Sequence, residues 1–279
     1  MIKYVFTLII SFLLSIPTLI AQSFISFPFS GYNEEAIIQI GFQYNYVNQN
    51  YQLNLKENWN QLFQELDTEP ENITYLGELK SIHSKSAHGF SIGIPMDFRW
   101  SDKIAINFAP TFNILNSQQI VYSPMDVERN PIVRKSKHVL QELRGDNFNS
   151  FEFPVALKLR SEEKKILKSD SKYRAYVLGG VRLTRWTGII DSYEELRIEQ
   201  RENRPFPEGL ILKPEYISWE AGVGFDLYLS YFKVSPEVRF SQSMNNVLSN
   251  NHVISTDNKF MAPIDRGLIR NIYFSLIFQ

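Results

Sequence analysis

The residues that could take part in acid–base or metal chemistry are few and scattered. The four histidines, His83, His88, His138 and His252, do not follow one another at the short intervals of zinc ligands. Several serines lie near His83 and His88, but no carboxylate at a suitable position completes a Ser-His-Asp arrangement. These residues therefore do not indicate a catalytic or metal centre.

Adjacent carboxylates and a glycine pair are the other candidates for chemistry. Three acidic pairs occur: Glu34-Glu35, Glu162-Glu163 and Glu194-Glu195. Neighbouring side chains of an extended chain point to opposite sides, so solvated turns explain these pairs better than one shared site does. The Gly179-Gly180 pair lies inside a predicted strand and not in a phosphate-binding loop. We assign no catalytic, cofactor-binding or metal-binding residue, and we expect no cofactor, no small-molecule substrate and no enzymatic activity.

The composition excludes several classes of function. The formal net charge is −1 and no basic stripe interleaved with aromatic residues occurs, so we expect no nucleic-acid partner. The chain contains no cysteine, which excludes a lipid-anchored cysteine, disulfide bonds, cysteine-ligated zinc and a thiol nucleophile. Stability must come from the fold itself.

The first residues have the pattern of a secretory signal peptide. An apolar stretch from Tyr4 to Ile20 ends before the small residue Ala21. A transmembrane anchor is the alternative because the stretch approaches the length of a membrane span, but two serines and a proline interrupt it. We predict a signal peptide at residues 1–21 and an outer-membrane β-barrel domain at residues 22–279.

Alternation with a period of two residues dominates the rest of the chain and indicates β-strands. Between residues 218 and 229, Trp219, Val223 and Phe225 share one face, while Glu220 and Asp226 share the other. Eight such segments are predicted: 36–46, 90–100, 104–114, 151–160, 173–186, 218–229, 232–241 and 268–279.

These segments predict an all-β fold, an eight-stranded antiparallel transmembrane β-barrel. A soluble lipocalin-like barrel with its apolar face inward would give the same alternation. However, the polar faces mix small residues with charged ones, which suits the narrow interior of an eight-stranded barrel. The connections also alternate between short turns and the long segments 47–85, 118–147, 188–215 and 246–267, as the periplasmic turns and external loops of outer-membrane barrels do.

This assignment directs charged residues of both signs into the barrel. They are Arg99, Asp97, Glu152, Lys158, Arg160, Arg174, Arg182, Glu220, Asp226, Lys233, Glu237 and Arg239. A buried charge without a partner is costly, so a mixture of signs favours a salt-bridged plug over a conduction path. Eight strands also enclose too little space for an aqueous channel.

Two connections have distinctive sequences. In residues 53–66, Leu55, Trp59 and Phe63 fall on one helical face, which predicts a short amphipathic helix, either a partner-docking helix or a lid over the barrel mouth. The charged segment 161–172 is expected to be a solvated periplasmic turn, with an interaction site as the alternative.

Several stretches resemble one family of bacterial proteins. The sequences "FEFPVALKLRS", "YRAYVLGGVRLTRW", "WEAGVGFDLYLSYFKVSPEVRFSQSMNNVL" and "IYFSLIFQ", together with "HGFSIGIPMDFRWSDKIAINFAPTF", are similar to the PorT family of Bacteroidetes outer-membrane proteins. The resemblance covers most of the chain from about residue 86 onward, and residues 219–248 are its most specific part.

The resemblance implies an accessory, non-pore component of the type IX secretion system, which exports cargo proteins and supports gliding in some species. The expected partners are outer-membrane lipid and other secretion-system subunits. A stand-alone structural or adhesive barrel of the OmpA type is the alternative, and a barrel enzyme acting on lipid or peptide is a further, less favoured one.

Overall fold

The computed structural model describes residues 24–27, 36–63, 78–116, 118–125, 133–139, 148–165, 171–200, 208–229, 231–255 and 258–279. Most of these residues lie in β-strands, which confirms the predicted all-β class. The predicted signal peptide lies outside the described residues.

Sixteen strands, one α-helix and two short 3-10 helices are present in this part of the chain. The strands are β1 (Ile25–Ser26), β2 (Ile38–Ile40), β3 (Phe42–Leu55), β4 (Leu79–Lys85), β5 (Ala87–Gly93), β6 (Met96–Arg99), β7 (Ile104–Phe108), β8 (Thr111–Leu115), β9 (Gln119–Pro124), β10 (Arg134–Ser136), β11 (Phe148–Arg160), β12 (Lys164–Lys165), β13 (Lys172–Trp186), β14 (Glu215–Tyr228), β15 (Lys233–Ser243) and β16 (Ile264–Phe278). Helix α1 covers Ile189–Gln200, and the 3-10 helices cover Trp59–Gln61 and Val253–Ser255.

The main sheet contains thirteen of these strands, so the predicted count of eight is not confirmed at the level of separate elements. Three of the predicted segments are each divided in two, at Gly41, at Pro95 and at Pro110. A proline has no N–H group to donate to a neighbouring strand, which interrupts the ladder locally. The short strands β1 and β12 add two further elements to the sheet.

The antiparallel pairings of the main sheet form a circuit. Strand β3 pairs with β5 on one side and with β16 on the other. From β5 the pairing continues through β8, β11, β13, β14 and β15 to β16. Each strand of the circuit therefore has a partner on both sides.

Burial alternates along the strands and places the apolar side chains outward, as predicted. In β14, Val223 is 58% exposed and Phe225 44% exposed, whereas Glu220 is 2% exposed and Asp226 is fully buried. The lipocalin-like alternative, with an inward apolar face, is therefore wrong for these strands.

Strand β3 extends well beyond the predicted end at residue 46. Residues 47–55 were expected to begin a long loop, but they pair with β16 as far as Leu55. Their buried face continues through Val47, Gln49 and Tyr51, while the opposite face carries Asn48 and Asn50. Because the outward residues become polar here, the apolar alternation that identified the strand disappears.

The predicted helix at residues 53–66 is wrong. Its first residues belong to β3, where Leu55 pairs with Ile264, and only the 3-10 turn at Trp59–Gln61 is helical among residues 53–63. Residues 64–66 lie outside the described part. Residues 53–55 pair with β16 instead, and the few residues that follow are too short a segment for a stable isolated helix.

The long connections contain structure that the sequence did not predict. Strands β4, β9 and β10 form a separate three-stranded antiparallel sheet. Helix α1 lies in the connection between β13 and β14. Among the residues that the structure describes, no helix has the length and hydropathy required to cross a lipid bilayer.

Candidate functional site

Ten charged side chains occupy the buried face of the main sheet. Five are acidic and five are basic, so they sum to zero charge. They are Asp97, Glu152, Glu220, Asp226, Glu237, Lys158, Arg160, Arg182, Lys233 and Arg239. Each was predicted to point inward. Arg99 and Arg174 also belong to that prediction, but they are only partly buried.

Asp97, Lys158, Arg160, Asp226 and Lys233 form one group, the Asp97 cluster. The ammonium of Lys158 lies 3.2 Å from a carboxylate oxygen of Asp97 and 3.3 Å from one of Asp226. The guanidinium of Arg160 is 3.0 Å from Asp97, and the ammonium of Lys233 is 3.7 Å from it. Three cations and two anions give this cluster one excess positive charge.

Glu152, Arg182, Glu220, Glu237 and Arg239 form a second group, the Glu220 cluster. The carboxylate of Glu220 lies 2.6 Å from the guanidinium of Arg182 and 3.0 Å from that of Arg239. Arg182 also pairs with Glu152, and Arg239 pairs with Glu237. Three anions and two cations give this cluster one excess negative charge.

Asn107 joins the two clusters. Its side-chain amide donates to Asp97 at 2.7 Å, and its carbonyl oxygen accepts from Arg239 at 2.8 Å. The Lys158 ammonium also lies 3.7 Å from the centre of the Tyr176 ring, and the Tyr176 hydroxyl donates to Glu237 at 2.9 Å. The opposite excess charges of the clusters therefore compensate each other through one continuous network, which reduces the cost of burying them.

Small residues leave room for these long side chains. A Cβ atom added to Gly224 would meet the Tyr176 ring at 2.5 Å, and one added to Gly222 would meet Arg239 at 2.8 Å. The charged side chains are therefore closely packed beside small residues on the buried face, where the sequence places both kinds of residue.

The end of the network opposite the long loops contains a group of main-chain and side-chain amide contacts. The Lys233 ammonium donates to the side chain of Gln39 at 2.9 Å. The main chains of Lys233 and Gln279 exchange hydrogen bonds of 2.7 and 3.0 Å, and the Gln279 side chain donates to the carbonyl of Gln39 at 3.2 Å. These contacts therefore fix Gln39 of β2 against the ends of β15 and β16.

The other end is covered by a folded unit that we name the cap. It consists of the three-stranded sheet, helix α1, residues 56–63 and the described residues of 208–214 and 246–263. An apolar cluster links it to the ends of the main strands. Phe63, which is 2% exposed, packs with its ring centre 5.2 Å from that of Tyr122 and 5.5 Å from that of Phe260. This packing agrees with the lid interpretation of the segment.

The cap contains the one buried histidine of the described residues. His138 is 2% exposed, and its Nε2 atom lies 2.7 Å from the hydroxyl of Tyr193. Burial lowers the pKa of His138 to about 3. The Tyr193 ring also packs at 5.1 Å from His252, so Tyr193 brings together two histidines that are far apart in sequence.

The other histidines lie elsewhere. His83 is exposed on β4, and His88 is exposed on β5, where its Nδ1 atom lies 2.6 Å from the hydroxyl of Tyr46. In the part of the chain that the structure describes, no three His, Asp or Glu side chains are arranged to hold a metal ion.

The charged 161–172 segment extends the hairpin of β11 and β13. Glu162 pairs with Lys103 at 3.1 Å, and Glu163 pairs with Lys172 at 2.7 Å. The adjacent glutamates thus bind different partners, as expected for residues that do not share a site. Residues 166–170 lie outside the described part.

Comparison with known proteins gives only distant likenesses. No family model and no curated protein matches the chain. Among solved structures, Ail, the attachment invasion locus protein of Yersinia pestis, is 7% identical, with a TM-score of 0.31 over 86% of this chain and 96% of that chain. The same protein in complex with the heparin analogue sucrose octasulfate is also 7% identical, with a TM-score of 0.30 over the same shares. Likenesses of this degree establish neither the fold nor the function of the chain.

Proposed function

We propose that this chain is a closed, eight-stranded antiparallel barrel that spans a bacterial outer membrane without acting as a pore or an enzyme. The observation that carries the proposal is the pairing circuit with apolar side chains outward and ion pairs inward. In this proposal β2 with β3, β5 with β6, and β7 with β8 each count as one interrupted strand. A closed barrel satisfies its main-chain hydrogen bonds between strands, which is the condition for crossing lipid with strands.

The positions of the connections support an orientation. The connections from β6 to β7 and from β14 to β15 contain few residues, whereas the cap is built from the long connections at the opposite end. Outer-membrane barrels have short periplasmic turns and longer external loops. The cap therefore faces the exterior, and the end at Lys233 and Gln279 faces the periplasm.

The filled interior supports a role as a component and not as a conduit. Each of the ten buried charges has at least one partner of opposite sign within 4 Å, and the cap covers one end of the network. The resemblance of residues 86–279 to the PorT family supports assignment to type IX secretion as an accessory subunit. Other secretion-system subunits are the proposed partners.

A gene deletion tests this role. Cargo with a carboxyl-terminal secretion signal should accumulate in the periplasm of the deletion strain, and a plasmid copy of the gene should restore its release. Normal secretion in the deletion strain would reject the secretion role.

A structural or adhesive barrel is the second candidate, because the cap is a folded surface with its own apolar cluster. The deletion strain would then show envelope or attachment defects while cargo secretion stays normal. The barrel proposal itself is tested on a detergent gel, where unheated protein should migrate faster than heated protein. Equal migration would reject the barrel.

A further inference from the structure

A groove of about 820 Å³ lies on the outer, apolar face of the main sheet. It crosses β3, β5, β8 and β11, and its walls are mainly aromatic. Its principal lining residues are Phe42, Tyr44, Ile92, Phe112, Phe151 and Phe153. The volume is within the range of about 300–1,000 Å³ that is typical of small-molecule sites.

The groove lies where the sheet is interrupted. Pro110 separates β7 from β8, and the carbonyl of Pro110 accepts from the main-chain N–H of Ile94 at 3.1 Å. Gly93 lies beside this interruption and also lines the groove. The groove therefore lies over an irregular part of the sheet.

The interior of the groove offers no charged group to an occupant. None of its lining residues carries a charge. Its strands are also paired along the floor, since Tyr44 faces Ile92 and Ile92 faces Phe112 in the ladders. An occupant must therefore be apolar and must need no hydrogen bonds along the buried part of its length.

A polar group lies beyond the cap-side end of the groove. Along β3, the outward positions that follow Tyr44 are Tyr46 and Asn48. The His88 Nδ1 atom lies 2.6 Å from the hydroxyl of Tyr46 and 3.1 Å from the side-chain amide of Asn48. His88 is four residues from Ile92 along β5, which corresponds to about 13 Å.

We propose that this groove binds one acyl chain of a bilayer lipid, with the lipid headgroup against His88 and Asn48. The inference rests on the proposed membrane barrel. An acyl chain is apolar and forms no hydrogen bonds, which matches a groove without charged residues whose strands are already paired. The phosphate or ester oxygens of a headgroup are hydrogen-bond acceptors, which match the polar side chains at the end of the groove. Because those side chains lie toward the cap, the lipid belongs to the outer leaflet.

Native mass spectrometry of protein purified from outer membranes tests the site. We expect the wild-type protein to retain one lipid after detergent exchange. The Ile92→Trp variant fills the groove with an apolar ring and should reduce the lipid-bound fraction at least tenfold. Val181→Trp is the matched control, because Val181 is also outward and 47% exposed but does not line the groove. This control should retain the lipid like the wild type.

Three results would overturn the inference: equal retention in the Ile92→Trp variant, equal loss in the Val181→Trp variant, or a second protein copy in place of lipid. Headgroup contact is tested separately with His88→Ala, which should lower retention severalfold; unchanged retention would reject that contact. Each variant is first checked for fast migration on an unheated gel. Failure of that shift in the wild type would reject the barrel, whereas a normal shift without retained lipid would reject the lipid site alone.

Discussion

At the scale of single residues, the buried ion pairs stabilise the fold only when every charged member is present. Glu220 contacts two guanidinium groups, those of Arg182 and Arg239. Removing one member of such a network leaves its partners buried without compensation, which costs more than the pair contributes to stability.

We therefore expect Glu220→Gln to lower the free energy of unfolding by roughly 3–5 kcal/mol. Glu162→Gln is the matched control, since Glu162 and Lys103 form an exposed pair that should contribute at most about 1 kcal/mol. Urea unfolding in lipid vesicles measures both variants. Equal effects of the two substitutions would contradict the importance of burial.

The buried His138 predicts an acid-sensitive cap. Its ordinary pKa is 6.5, and in the folded cap it is lowered to about 3. Between these values the unfolded cap binds a proton that the folded cap excludes, so stability is fully present above pH 6.5 and decreases as the pH falls toward 3.

Limited proteolysis of the cap as a function of pH measures this effect, which is at most roughly 5 kcal/mol over the interval. His138→Gln should flatten the pH dependence between 6.5 and 3. His83→Gln, at an exposed histidine on β4, should leave it unchanged. A profile that His138→Gln does not alter would assign the acid sensitivity to another group.

At the scale of elements, the outward apolar side chains of β14 are the part of the strand that would contact lipid in the proposed barrel. Val223→Arg would place a charge in the centre of the apolar band, and we expect it to destabilise the folded protein by roughly 2–4 kcal/mol in vesicles. Val223→Met keeps the position apolar and should have little effect. If both variants unfold at the wild-type urea concentration, this face does not contact lipid near the bilayer centre.

The cap is a second element with its own apolar packing. Phe63→Ala removes the ring that packs against both Tyr122 and Phe260 and should cost roughly 3–5 kcal/mol of cap stability. Leu62→Ala, at a neighbouring residue that is 38% exposed, should have a much smaller effect. Faster hydrogen exchange in β9 of the Phe63→Ala variant, with an unchanged gel shift, would locate the loss in the cap. Unchanged exchange would mean that Phe63 does not hold the cap in place.

At the scale of the whole molecule, the proposed barrel has two independent barriers to ions, the buried ion-pair network and the cap. We expect the purified protein to show no steady conductance in a planar bilayer, whereas a porin in the same preparation conducts. The Phe63→Ala variant should also show no steady conductance, because the ion pairs still fill the interior when the cap is loosened. A stable unitary conductance of the wild-type protein would reject the sealed interior.

The sequence by itself determined which side chains share a face. Successive residues of a strand point to opposite sides, so the alternation around Val223 assigned the apolar residues to one surface and the charged residues to the other before any pairing was known. The same local rule placed all ten buried charges correctly. It also excluded a shared site for Glu162 and Glu163.

Only the tertiary structure decided how these faces are assembled. The link through Asn107, the approach of Tyr193 to His138 and the packing of Phe63 in the cap join residues that are distant in sequence, and no local pattern encodes them. Local pattern was misleading in the predicted helix, whose residues 53–55 pair with β16 instead. Contacts of long sequence separation depend on the fold as a whole, which is why the strands' faces were predictable and the cap was not.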